Sequence, residues 1–219
     1  MIRAVVFDVG ETLVDETREY GTWADWLNVP RHTFSAVFGA VIAMGKDYRD
    51  VFQYFQPGFD LESERQRRAD AGKPENFDES DLYADVRPCM SALRDMGIWV
   101  GVAGNQTSRA GKILHGLNLP ADMIATSDDL GVSKPDASFF QAVIDTVPCE
   151  AGAIVYVGDR LDNDLKPARQ AGMQTAFVCR GPWGRIWKDH PDMAEVADWQ
   201  VMSLAEIPSL VASVSPSLH

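Results

Sequence analysis

From residue 98 onward, short apolar runs alternate with segments of helical periodicity, and no other feature of the chain constrains its fold as tightly. The runs are IWVGVAG (98–104), MIAT (123–126), AIVYVGD (153–159) and TAFVC (175–179), and a similar one, IRAVVFDV, occupies 2–9. Each is rich in β-branched residues and bounded by turn residues, the pattern of a buried strand. Between them SRAGKILHGL (108–117), DASFFQAVIDTV (136–147) and DNDLKPARQAG (162–172) read as helices. Gly172 stands just past the last of these, where a left-handed cap is expected. Strand and helix in alternation imply βαβ units, and so an α/β fold built on a doubly wound parallel sheet covered on both faces.

Residues 16–82 interrupt that pattern directly after the first strand. In PRHTFSAVFGAVIAMGKD, Pro30 suits a helix start, and Phe34, Val37, Phe38, Val41 and Ile42 fall at helical spacing. YRDVFQYF (48–55) and the charged LESERQRRADAG (61–72) follow, with no strand pattern. The expected organisation is therefore a core of 1–15 and 83–219 with an all-helical insert of 16–82. Of the 21 Phe, Trp and Tyr residues, 11 lie in the insert. A subdomain of that size needs large side chains to build its own core, and the alternative use of these rings is to line an apolar substrate pocket.

At 219 residues, 46% hydrophobic and 24% charged, the chain has ordinary globular composition and needs no disulfide or metal staple to bury a core. Its net charge of −12 repels phosphate backbones and anionic lipid, which argues against nucleic acid and membrane surfaces as partners. Cys89, Cys149 and Cys179 are widely spaced, contain no CxxC and are odd in number, as in a reduced interior. MIRAVVFDVGETL carries charge at Arg3 and Asp8 and lacks the uninterrupted apolar stretch of a signal peptide, so the expected location is the cytoplasm. The terminal SVSPSLH reads as a fraying end.

In a parallel sheet the carboxyl ends of the strands share one edge, where ligands bind. Asp8 ends the first strand, and Gly104 and Asn105 end the second. GVSKPD, with Lys134, follows the third. Gly158 and Asp159 end the fourth, with Asp162, Asn163 and Asp164 in the next turn. Three or four carboxylates, a lysine and an amide would meet there. Carboxylates gathered in one place repel unless a cation neutralises them. Hard oxygen ligands suit Mg²⁺, which also takes phosphate oxygens, and Lys134 adds a further positive charge for a phosphoryl group or a nucleophile.

FDVGETLVD, SKPD and VGDRLDND, in this order and separation, resemble the motifs of the haloacid dehalogenase superfamily of hydrolases. The resemblance covers most of the chain. LYADVRPCMSALRDMGI and CRGPWG also resemble its capped, phosphatase-like branch, in which a mobile helical cap follows the first strand. It implies a Rossmann-like core and a hydrolase in which Asp8 attacks phosphorus to form an aspartyl-phosphate that water hydrolyses. It further implies Mg²⁺ held by Asp8, the Gly10 carbonyl and Asp159, with Asp164 or Asn163 nearby. Lys134 would act with the metal on the transferring phosphoryl group of a small phosphorylated molecule. Thr12 would fix the turn, and Gly104 and Asn105 would fall where the family binds phosphoryl oxygens.

Two departures bear on activity. The family's phosphatases carry a second Asp two residues after the nucleophile as general acid and base; here that position is Gly10, next to Glu11. The motif ending the second strand normally begins with Ser or Thr; here it is Gly104, and backbone N–H groups or Thr107 would have to substitute. The leading reading is a phosphoric-monoester hydrolase of weak or narrow activity. A catalytically degenerate relative that binds a phosphorylated ligand or protein partner is the alternative. A 2-haloacid dehalogenase also uses an Asp nucleophile but needs no metal, which Asp159 and Asp164 argue against.

Overall fold

In a computed structural model of the chain, which describes residues 1–214, six parallel strands form one sheet. They are β1 (Ala4–Phe7), β2 (Trp99–Gly104), β3 (Met123–Thr126), β4 (Ile154–Gly158), β5 (Gln174–Val178) and β6 (Trp199–Val201), in the order β3-β2-β1-β4-β5-β6. The expected doubly wound α/β core is therefore present. Every residue of β1 and β4 is buried, which is why their sequences are continuous apolar runs rather than alternating ones. Their register pairs Val5 with Val155 and Phe7 with Val157. Phe139, Phe140, Val143 and Tyr156 pack with β1 on one part of the core. The sixth strand was not evident from the sequence: it is three residues long, and Gln200 is exposed.

Strand order reverses at β1. Its neighbours are β2 on one side and β4 on the other, and this is the switch point where a doubly wound sheet opens a crevice at its carboxyl edge. Gly172 adopts φ +88° after the helix Lys166–Gln170, as the cap position requires. Of the terminal SVSPSLH, Ser213 and Val214 belong to the helix Ile207–Val214, and the rest lies outside the described residues. Among the described residues no helix is long and apolar enough to cross a membrane, and the three cysteines are free.

The chain divides into two compact units, one of Met1–Asp15 with the chain from Leu82 onward, the other of Glu16–Asp81. The second unit is helical, with helices at Thr17–Trp26, Arg31–Ala43, Asp50–Phe55 and Leu61–Asp70. Pro30 caps the second of these rather than occupying its first turn, and Phe34, Phe38, Val41 and Ile42 are its buried face. The rings pack mainly on one another: Phe52 stacks on Phe59 at 4.5 Å between centroids, meets Trp23 edge-on at 5.3 Å and lies 5.7 Å from Phe34. Such pairs add roughly 0.5–1.5 kcal/mol each beyond the area they bury. This unit thus has an aromatic core of its own. Arg68 is buried beneath it, 4.0 Å from the Trp23 ring, and donates to Thr22 Oγ1 and the Lys73 carbonyl.

Candidate active site

Asp8 follows β1, and its N–H extends the pairing to the Val157 carbonyl at 2.9 Å. Asp159 follows β4, so these two carboxylates start from the ends of adjacent strands. Asp164 lies on the single π-helical turn Leu161–Leu165, a form that often marks functional positions. Its Oδ2 accepts the Arg160 N–H at 3.0 Å, folding the carboxylate back toward β4. Gly158 is glycine for that reason, since a Cβ there would collide with the Asp164 carboxylate.

Lys134 reaches the same point from the loop after β3. Its Nζ donates to Asp8 Oδ1 and to Asp164 Oδ1, each at 2.6 Å. Asn105 holds the lysine's backbone from both sides: its Nδ2 donates to the Lys134 carbonyl at 2.9 Å, and its Oδ1 accepts the Lys134 N–H at 2.7 Å. The amide of Asn105 is thus engaged in setting the Lys134 loop. Lys134 Nζ lies 5.6 Å from the centroid of the Tyr156 ring, whose hydroxyl donates to the Ala103 carbonyl at 2.7 Å.

Asp8, Asp159 and Asp164 offer oxygens that all lie within 4.8 Å of one another, and all three residues are buried. One ammonium therefore faces three carboxylates. Burial works against the Lys134 charge, but Asp164 and Asp8 overcome it and hold the amine protonated well above its ordinary range. Burial pushes the Asp164 carboxyl up to about 6 even with Lys134 beside it. Burial, then Asp164 and Asp8, push Asp159 well above the usual carboxylate range. Asp159 Oδ2 is buried with no hydrogen-bond donor. A buried, unpartnered carboxylate oxygen among other carboxylates is the donor set of a hard divalent cation, and these residues fit Mg²⁺. Asn163 is half-buried on the same turn as Asp164.

The turn after β1 is tightly made. The N–H groups of Thr12, Leu13 and Val14 converge on the Val9 carbonyl, and the Glu11 N–H donates to the Val14 carbonyl at 2.8 Å. Gly10 bridges to Val14. Thr12 is fully buried and its hydroxyl has no hydrogen-bond partner. Glu11 takes φ +51°, a left-handed conformation that costs a non-glycine residue roughly 1–2 kcal/mol. Its side chain, which the sequence could not orient, is buried and accepts the Tyr83 hydroxyl at 2.6 Å. Gly181, at φ +63°, leaves it room, for a Cβ there would lie 2.6 Å from Glu11 Oε2. Burial and the Glu11 charge push the Tyr83 hydroxyl well up, so it remains a donor.

At Gly104 a Cβ would stand 2.6 Å from Asp8 Oδ1 and 3.0 Å from Val9 Cγ2. The Ser or Thr usual at this position would have to displace the Asp8 carboxylate from Lys134. Thr107, the other hydroxyl considered for phosphoryl binding, caps the helix Ser108–Gly116 by accepting the Ala110 N–H. Tyr83, Asp85, Tyr156 and Arg180 carry no role in the motifs of the sequence, although LYADVRPCMSALRDMGI and CRGPWG contain three of them.

The family model of haloacid dehalogenase-like hydrolases matches residues 2–172. The chain is 33% identical to the glyceraldehyde 3-phosphate phosphatase of Methanocaldococcus jannaschii over 135 residues, 60% of this chain and 57% of that enzyme. It thus spans little more than half the length of that relative. Against the glyceraldehyde 3-phosphate phosphatase of Pyrococcus furiosus it is 25% identical, over 94% of this chain and 92% of that one. The HAD-hydrolase YfnB of Bacillus subtilis, in a magnesium-bound structure, shares the fold with a TM-score of 0.70 at 20% identity, covering 96% of this chain and 98% of that chain.

Proposed function

This chain belongs to the haloacid dehalogenase-like hydrolases, and on that premise we propose that it is a Mg²⁺-dependent phosphoric-monoester hydrolase acting on a small phosphorylated molecule through an aspartyl-phosphate on Asp8. The observation that carries this reading is the buried triad of Asp8, Asp159 and Asp164, with Lys134 bridging Asp8 and Asp164 and an unpartnered oxygen left on Asp159. The phosphatase names of the two archaeal relatives and the magnesium-bound Bacillus structure support it.

Asp8, Asp159 and the Gly10 carbonyl would hold the metal, with Asp164 and Asn163 beside them. When bound, Mg²⁺ supplies charge neutralisation and Lewis-acid polarisation of the phosphoryl oxygens. Asp8 attacks phosphorus; its O–P bond forms as the ester O–P bond breaks, and the leaving group departs as an alkoxide that takes its proton from solvent. Water then attacks the aspartyl-phosphate, releasing inorganic phosphate and restoring the carboxylate. Lys134 counters charge on the phosphoryl oxygens and, bonded to Asp8 Oδ1, orients the nucleophile. Asn105 keeps Lys134 in place. Thr12 and the backbone at Gly104 and Asn105 would lie against the phosphoryl group.

Gly10 and Gly104 together favour a second reading, in which a phosphorylated ligand binds without turnover. Initial rates on a panel of phosphate esters, with Mg²⁺ and with chelator, separate the two. The phosphatase reading expects turnover with Mg²⁺, loss of at least about 10³-fold in chelator, and a similar loss in Asp8→Asn. Ligand binding without phosphate release supports the second reading. Halide release from a 2-haloacid in chelator would overturn both in favour of a dehalogenase.

A further inference from the structure

We propose that Arg180 is a positioning residue for the turn that carries Asp8, Glu11 and Thr12, acting together with Tyr83 and Asp85; the inference rests on the phosphatase reading of that site. Arg180 follows β5 and is buried. One edge of its guanidinium grips Asp85, Nη1 to Oδ1 at 3.0 Å and Nη2 to Oδ2 at 2.5 Å. Nη1 also donates to the Thr12 carbonyl at 3.3 Å. Its Cζ lies over the Tyr83 ring, 4.3 Å from the centroid. Tyr83 closes the arrangement on the turn, its N–H donating to the Leu13 carbonyl at 3.0 Å and its hydroxyl to Glu11 Oε2. Asp85 is fixed in turn by the Ser203 hydroxyl at 2.6 Å and the Leu204 N–H at 2.9 Å.

The turn's N–H groups are satisfied within the turn, but the carbonyls of Thr12 and Leu13 are taken by groups distant in sequence. The conformation at Glu11 is one its own residue type disfavours, so its persistence depends on such outside partners. A planar fork can grip a carboxylate, reach a carbonyl and stack on a ring at once; a lysine ammonium cannot. Residues 11–13 follow Asp8 within one turn, so release of their carbonyls redirects the nucleophile. A displacement of about 1 Å at a reacting group costs on the order of 10²-fold in rate.

The test compares Arg180→Ala, Arg180→Lys and Tyr83→Phe with the native chain, using 4-nitrophenyl phosphate with Mg²⁺ and amide hydrogen exchange. In both Arg180 variants kcat should fall about 10- to 100-fold with KM changed less than about threefold. Millimolar guanidinium should restore the alanine variant several-fold and the lysine variant not at all. Exchange at Glu11–Val14 should accelerate about tenfold or more while β1 and β4 stay protected. Tyr83→Phe keeps the ring stack, loses only the bond to Glu11, and should show a smaller loss of the same kind. Unchanged exchange at Glu11–Val14, or a uniform loss of protection across the sheet, overturns the proposal, as does kcat within about twofold of native. If the native chain hydrolyses no ester, the phosphatase reading fails, and the exchange measurement still decides whether Arg180 sets the turn. Should Arg180→Ala not fold, Arg180→Lys and Tyr83→Phe carry the same readouts.

Discussion

Lys134→Ala is expected to cut turnover by about 10²-fold or more and to lower the melting temperature by roughly 6–20 °C in the absence of divalent metal. Lys134 is buried between Asp8 and Asp164 and is the ammonium to which both carboxylates are bonded. Removing one partner of a buried ion pair typically costs about 3–5 kcal/mol, because the other charge is left uncompensated. In a chain of this size each kcal/mol shifts melting by roughly 2–4 °C. The loss is tempered because burial already favours the neutral form of Asp164, and without Lys134 that preference grows. Rate should fall by about 10²–10³ or more, the usual consequence of deleting a preorganised positive group from a site of developing negative charge. Adding Mg²⁺ should return part of the lost melting temperature but not the rate, since the cation neutralises the carboxylates without replacing the lysine at the phosphoryl group. Calorimetric scans with and without Mg²⁺, alongside steady-state rates, check this. An unchanged melting temperature and rate would place Lys134 outside the site.

The second large effect concerns the leaving group. A positioned general acid contributes roughly 10²–10⁴ in rate, and Gly10 has no proton to give. Expulsion of the alcohol then depends on that alcohol's own acidity. The native chain should therefore hydrolyse aryl and acyl phosphates roughly 10²–10⁴ faster than alkyl or sugar phosphates. Gly10→Asp should flatten that dependence, raising turnover of alkyl phosphates most. The measurement is kcat/KM against leaving-group pKa for both chains. Equal rates on aryl and sugar phosphates in the native chain would show that another group supplies the proton. Glu11 would be examined first, although its carboxylate is engaged by the Tyr83 hydroxyl.

The convergence of four candidate-site residues is legible in the sequence for a topological reason. Asp8 and Asp159 end strands, Lys134 and Asp164 lie in the loops beyond, and parallel strands put all such ends on one edge. No side-chain direction had to be known. The brace around the first turn was not legible because it depends on directions alone. Tyr83 and Arg180 are nearly a hundred residues apart, and the loops that bring them together carry no periodic pattern. Glu11 could be placed in the turn but not aimed, since its left-handed backbone was invisible in the sequence. The place of Asn105 at a strand end points it toward the phosphoryl group, but the sequence does not show that its amide is bonded on both sides to the Lys134 backbone. Gly104 looked like a missing hydroxyl, and only the position of the Asp8 carboxylate shows what a side chain there would meet. The insert's rings were better signalled, because aromatic crowding in a short helical segment leaves few ways to bury it except on itself.

Titration calorimetry of the native chain and of Asp159→Asn decides whether the Asp8, Asp159 and Asp164 edge binds Mg²⁺. Asn has nearly the shape of Asp without its charge, and the carboxylate it replaces is buried and unpartnered on one oxygen. Metal-free Asp159→Asn should therefore melt no lower than the native chain. The native chain should bind Mg²⁺ at millimolar concentration or below and melt higher with it, and Asp159→Asn should lose most of both effects. No binding heat at millimolar Mg²⁺, or an equal response from the two chains, would rule out a metal held at this edge.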